Sequence, residues 1–295
     1  KFKMGDVTMI KDEVIKDCIE LYKQQQNQFQ IFINSIRDFF LLDPPTNDKN
    51  VSVIHSIKYR LKDPEHLADK ISRKWSNDNP IDKSNLFSRV TDLAGLRVLH
   101  LYQDQFPLIH ERIMEKVNSK EWFLAEDPKA YTWDPETERF FENLGIHCQQ
   151  KESFYTSIHY LVKKREDDFI TCEIQVRTLF EEIWGEIDHT INYPHPTDSI
   201  ACKEQLRVLS KLVSTGTRLA DSIFRTYNDY TFQIKENVRD GADTDSIKTE
   251  SGRVDSVSLT HSSIHHPKIL RQYLLGGNSN WYDQVKANLE QVKSA

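Results

Sequence analysis

Two stretches of alternating residues, 155–163 and 169–178, constrain this chain more than any other feature. In the second, Ile170, Cys172, Ile174 and Val176 recur at every other position, so Thr171, Glu173, Gln175 and Arg177 share the opposite face of a strand. In the first, Thr156, Ile158, Tyr160 and Val162 form the more apolar set, and Tyr155, Ser157 and His159 oppose it. The charged run 164–168 between them predicts an antiparallel hairpin with a loop longer than the tightest turns. Such a hairpin buries one face and presents Tyr, Ser, His, Glu, Gln and Arg on the other. Composition alone weighs a solvated outer sheet face about as heavily as a site.

Around the hairpin the period changes. Apolar residues at helical spacing from Ile15 to Phe40 predict a long amphipathic helix over 12–41, bent near the Gln-rich 24–28 and ended by Asp43-Pro44-Pro45. In 53–62, Ile57, Tyr59 and Leu61 alternate with Lys58, Arg60 and Lys62, a strand with a row of cations on one face. Asp63-Pro64-Glu65 is a helix start, so a helix carrying Lys70 and Arg73 is expected over 64–75. A buried strand over 93–102 and a helix over 106–117 follow, whereas 118–152 reads as loop with short helices. Helices are expected over 179–191 and 202–239, a mobile polar segment over 241–267 and a last short helix over 281–292. The expected organisation is an N-terminal helical region (1–49), a catalytic domain (50–195), a C-terminal helical region (196–240), a linker (241–267) and a terminal helix (268–295). The fold class is α/β (α+β), a mixed sheet flanked by N- and C-terminal helices.

With 39 basic against 45 acidic residues the net charge is −6, which argues against a surface wholly devoted to nucleic acid but not against a local basic cleft. The four cysteines form no CxxC pair, so neither a zinc site nor a disulfide scaffold is suggested. Residues 1–10 have no signal-peptide core and no run of about 18 apolar residues occurs, so a cytoplasmic protein without a membrane partner is expected. His261, His265 and His266 sit in the polar segment without grouped partners and read as solvated tail. Asp188-His189 reads equally as a catalytic aid or as a buried pair or cap.

The cations Lys58, Arg60, Lys62, Lys70 and Arg73 beside the isolated carboxylates Asp92 and Glu173 make a phosphoryl-transfer constellation. Arg and Lys neutralise polyphosphate charge, and hard carboxylate oxygens hold Mg²⁺. No GxxxxGK[ST] or GxGxxG loop occurs, which excludes the common ATPase and kinase designs. The ordered segments RLKDPEHLADKISRK (60–74), VTDLAGLRVL (90–99), YTSIH (155–159) and CEIQVRT (172–178) resemble the synthetase domain of the RelA/SpoT alarmone enzymes. WGEIDH (184–189) is closer in style to the small single-domain alarmone synthetases. The resemblance covers about residues 50–195 and implies a nucleotidyltransferase-like mixed sheet.

The resemblance implies that Arg60, Lys62 and Lys70 hold ATP phosphates with support from Arg73 and Arg97. It implies that Asp92 binds Mg²⁺, that Glu173 completes the Mg²⁺ site or helps to activate the attacking hydroxyl, and that Tyr155, His159, Gln175 and Arg177 receive the acceptor. The implied reaction transfers the β,γ-pyrophosphate of ATP to the ribose 3′-hydroxyl of GDP or GTP and releases AMP. Relatives that modify the tRNA 3′ end or adenine nucleotides keep those acceptors open, and an inactive helical interaction protein is the alternative of another class. Homo-oligomerisation is common in similar small synthetases. Residues 1–40 carry six basic and six acidic residues and 202–240 carry seven and five, too even a balance to attract a tRNA body. Where the family usually has Asn-Gly before the tyrosine, this chain has Ser153-Phe154, and its segment between Arg97 and Tyr155 is longer than usual. Tyr131 and Trp133 of that segment weigh more as packing residues than as acceptor contacts.

Overall fold

The structure is a computed structural model that describes residues 4–76, 78–150, 154–193 and 195–242. The mobile segment expected over 241–267 lies outside these residues from 243 onward, as do the three tail histidines and the expected terminal helix. Residues 1–234 form one compact unit; of a second unit, 235–295, the described part is the end of a helix.

The first helix, α1 (Met4–Leu42), is uninterrupted through the Gln-rich stretch and stops before the two prolines. It buries Cys18, Tyr22, Phe29, Phe32, Ile33, Ile36 and Phe40 in the same core as the sheet. Six strands form that sheet: β1 (Ser56–Leu61), β2 (Ala94–His100), β3 (Phe123–Tyr131), β4 (His147–Gln149), β5 (Ser157–Lys163) and β6 (Thr171–Thr178). Their order is β1-β2-β6-β5-β3-β4, with β2/β6 and β3/β4 parallel and the other neighbours antiparallel. The remaining helices are α2 (Pro64–Arg73), α3 (Leu86–Arg89), α4 (Phe106–Asn118), α5 (Pro135–Asn143), α6 (Leu179–Asn192) and α7 (Ile200–Ala242). No described helix is long and apolar enough to cross a membrane.

The hairpin, the cation strand and the helix after it form as their periodicity predicts. Asp63 caps α2 by accepting hydrogen bonds from the backbone N–H of Glu65 and His66 at 2.8 and 3.3 Å. The expectation of loop over 118–152 is corrected, because the stretch holds the nine-residue β3, then α5 and β4. Two register shifts between Leu124 and Lys129 erase the alternation, and Pro128, which has no N–H to donate to a ladder, hides the strand further.

Cross-strand pairing sorts the side chains into two faces. Ile57, Val98, Val176, Ile158 and Ala130 lie in one row across five strands and point to the α1 side. Lys58, Arg97, Gln175, His159 and Lys129 form the neighbouring row on the other side. The end of β1 is tied to the helix beneath it, because the Tyr22 hydroxyl donates to the carbonyl of Lys62 at 2.7 Å, with the Leu93 carbonyl at 3.4 Å. Tyr22→Phe should therefore cost about 1 kcal/mol of stability, the net worth of one internal hydrogen bond. Chemical denaturation checks this, and an unchanged midpoint would show that the hydroxyl does not hold β1.

Candidate active site

The polar face of the sheet is covered in part by α6 and opens as a cleft of about 330 Å³ lined by Arg60, Lys62, Asp92, Arg97, Glu173 and Gln175, with Lys58, Glu186 and His189 at its rim. Gly95 pairs with Arg60 on one side and Glu173 on the other, and a side chain there would meet nothing, so it leaves the floor open between them.

At one end Asp92 lies between two lysines. Its Oδ2 accepts from Lys62 Nζ at 2.9 Å and its Oδ1 pairs with Lys70 Nζ at 2.6 Å. Burial pushes the Asp92 carboxyl up, but Lys62 and Lys70 outweigh it and hold it at about 2. A depressed carboxyl contributes stability that is complete above its unfolded value of 3.8 and is lost as pH falls through about 2, worth roughly 2 kcal/mol at neutral pH.

Toward the middle of the sheet the polar side chains form a closed circuit. Glu173 Oε1 lies 3.0 Å from His159 Nδ1, and its Oε2 accepts from Gln175 Nε2 at 2.7 Å. His159 Nε2 is 3.1 Å from the Tyr155 hydroxyl, Gln175 Oε1 accepts from Arg177 Nη2 at 2.7 Å, and the Arg177 guanidinium sits 5.4 Å over the Tyr155 ring. Burial raises the Glu173 carboxyl, but His159 and Gln175 more than offset this and its pKa is lowered. Tyr131 adds its ring 4.8 Å from His159, so this residue of the long segment does stand among the acceptor candidates, while Trp133 packs on Phe154. Phe154 itself has φ of 59°, the left-handed region that glycine adopts freely, at the position where the family usually has Gly.

Of the expected site residues, Lys70, Arg73, Tyr155, His159 and Arg177 do not line the cleft; Lys70 touches it through Asp92, and His159 and Tyr155 touch it through Glu173. Arg73 lies over the Tyr193 ring at 5.9 Å, and Arg177 is almost fully buried, its Nε 3.3 Å from Glu182 Oε2. The residue that the sequence did not single out is Glu182. Buried on α6, it takes Lys58 at 2.8 Å and Arg97 at 3.1 Å on Oε1 as well as Arg177 on Oε2. Arg97 is also paired with Glu186. Glu182, Glu186 and His189 recur at i, i+4 and i+7, a helical stripe that the sequence displays once the start of α6 is known. Thr178 supplies that start through a capping box with Glu181, whose burial raises its carboxyl to about 7. Asp188 and His189 do not pair: Asp188 accepts from Asn192, and His189 stacks on Tyr193 at 4.5 Å.

His100, the last residue of β2, is fully buried and held at about 4 by that burial, its Nδ1 2.9 Å from the Tyr102 carbonyl. Because the folded state excludes a proton that the unfolded chain takes up near 6.5, stability is complete above 6.5 and falls as pH drops toward 4, by about 3 kcal/mol. Burial shifts His55, His110 and His189 in the same direction. Urea midpoints should therefore fall between pH 7 and pH 4.5, and His100→Gln should flatten the fall. An equal slope in that variant would contradict the assignment.

Residues 59–198 match the family described as a region found in RelA / SpoT proteins. The chain is 23% identical over 207 residues to GTP pyrophosphokinase YjbM of Bacillus subtilis (strain 168), an alignment covering 68% of this chain and 83% of that protein. Among solved structures it is similar to a GTP pyrophosphokinase family protein from Streptococcus pneumoniae, with TM-score 0.49, 22% identity and coverage of 72% and 92% of the two chains. It is also similar to small alarmone synthetase 1 from Bacillus subtilis, with TM-score 0.49, 20% identity and coverage of 72% and 95%. The strands and helices that build the cleft fall within the matched span or beside it, so it is the cleft-forming part of the chain that is similar to the RelA / SpoT region.

Proposed function

We propose that the chain is an ATP pyrophosphotransferase that moves the β,γ-pyrophosphate of ATP to the ribose 3′-hydroxyl of GDP or GTP and releases AMP. The observation that carries the reading is that Asp92 and Glu173, far apart in sequence, open into one cleft with Arg60 and Lys62. The relative in Bacillus subtilis, a GTP pyrophosphokinase by name, supports the guanine acceptor.

In this reading Lys62 and Lys70 hold the phosphates of ATP. Both now rest on Asp92, and an entering polyphosphate offers them more negative charge than one carboxylate does, so they can turn to it and release the Asp92 oxygens. Asp92 and Glu173 are a fitting donor set for Mg²⁺, which binds through one or two carboxylates together with substrate phosphates. Among the described residues no group of three or more His, Cys, Asp and Glu side chains is placed to hold a metal ion by itself. When bound there, Mg²⁺ supplies neutralisation of the charge on the transferred group. Arg60 and Lys62 place the donor for in-line attack. Glu173, steadied by His159 and Gln175, stands where a carboxylate can accept the proton of the 3′-hydroxyl. Tyr155, braced by His159 and Arg177, offers its ring to the acceptor base.

The test incubates the protein with γ-labelled ATP and, separately, GDP, GTP, ADP or deacylated tRNA. Label is expected on the guanine nucleotides; label on tRNA alone, or on ADP alone, would overturn the acceptor. Tyr155→Ala should weaken use of the acceptor by roughly 1–3 kcal/mol, the worth of base stacking on an aromatic ring, with KM for ATP little changed. An equal rise in both KM values would place Tyr155 outside the acceptor half.

A further inference from the structure

Pyrophosphate chemistry leaves one wall of the cleft without a task. There α6 presents Glu186 and His189, three residues apart on one helical face, toward Arg60 and Arg97. The lysines that would hold phosphate stand at the other end of β1. Lys58, beside the acidic wall, and Lys62 are separated by roughly 13 Å at the rise of a strand. That is longer than a phosphate chain spans, so phosphates held by Lys62 and Lys70 leave the α6 end of the cleft open for the base of the same nucleotide.

Glu186 is suited to read that base. Its Oε1 is paired with Arg97, while its Oε2 takes no hydrogen bond among the described residues, and its side chain is 52% exposed. A carboxylate is an acceptor only, so it rewards a base edge that donates and penalises one that accepts. Arg97, held by Glu182 as well, fixes the carboxylate from behind.

We infer that Glu186 selects the donor base, its free oxygen accepting the 6-amino group of adenine and repelling the 6-keto oxygen of guanine or hypoxanthine. This makes Glu186 a specificity residue of the donor half and gives a physical reason why two purine nucleotides sharing one cleft do not exchange places. The inference rests on the pyrophosphotransferase reading for which half is the donor, but not for its test.

Equilibrium binding of ATP and ITP, without acceptor, is measured on the wild-type protein, Glu186→Gln and Glu186→Ala. The wild type should bind ATP at least about tenfold more tightly than ITP, the size of one hydrogen bond to a charged group, and both variants should bring the ratio near one. A wild type without preference, or a ratio unchanged in both variants, would overturn the inference. So would equal tightening of ATP and ITP in Glu186→Gln, because Glu186 would then be only a charge competing with phosphate for Arg97. Selective ATP binding that is lost in the variants, together with no AMP release from any acceptor, would uphold base selection and sink the pyrophosphotransferase reading alone.

Discussion

Glu173→Gln is expected to cut AMP release by about 10²–10³-fold, the scale on which removing one preorganised electrostatic group slows a reaction. The substitution keeps the volume and one acceptor oxygen but removes the charge that faces the cleft and the base available to the 3′-hydroxyl. Glu173 is held by His159 and Gln175, both of which can still hydrogen-bond an amide, so thermal unfolding should move little. Asp92→Asn should reduce activity as deeply, but it also removes the partner of Lys62 and Lys70 and with it roughly 2 kcal/mol of ion-pair stabilisation. Glu173→Gln is for that reason the cleaner test of chemistry. AMP release within a fewfold of wild type in both variants would remove the carboxylates from the reaction.

Glu182→Gln should produce the largest loss of stability, about 3–5 kcal/mol, as when one member of a buried ion pair is removed. Arg177 is the reason. Its guanidinium is buried under the sheet face, and Glu182 is the carboxylate that faces it; Gln175 alone would be left to satisfy it. Lys58 and Arg97 lose the same partner, but both reach water and contribute less. The urea midpoint should fall with an unchanged denaturant slope, since the surface exposed on unfolding is the same. A change below about 0.5 kcal/mol, the scatter of ordinary surface substitutions, would show that Arg177 is satisfied without Glu182.

The hairpin and the cation strand were legible because β1, β5 and β6 each bury one face, so period two is written into their residues and the polar set follows by subtraction. That alternation assigns Glu173 and Gln175 to one face of β6, His159 to one face of β5 and Arg60 to one face of β1, and the strand pairing brings these faces onto one surface. β3 was not legible, because its bulges and Pro128 break the alternation that would announce it. The Glu182 hub was hidden for a different reason. Glu181 and Glu182 are neighbours of identical chemistry, and which one turns to the sheet depends on where α6 begins. Thr178 settles that phase by capping onto Glu181, which leaves Glu182 facing the arginines. Sequence also placed Arg177 among the acceptor contacts, whereas the fold gives its guanidinium to Glu182, Gln175 and the Tyr155 ring.

Transfer of pyrophosphate and not of phosphate is tested most directly by product analysis of one reaction holding ATP, GDP and Mg²⁺. Nucleotides separated by ion exchange and read by phosphorus NMR should show AMP and a guanosine nucleotide carrying a 3′-diphosphate in equal amounts. ADP accompanied by a singly phosphorylated product, or AMP with free pyrophosphate and unmodified GDP, would contradict the account.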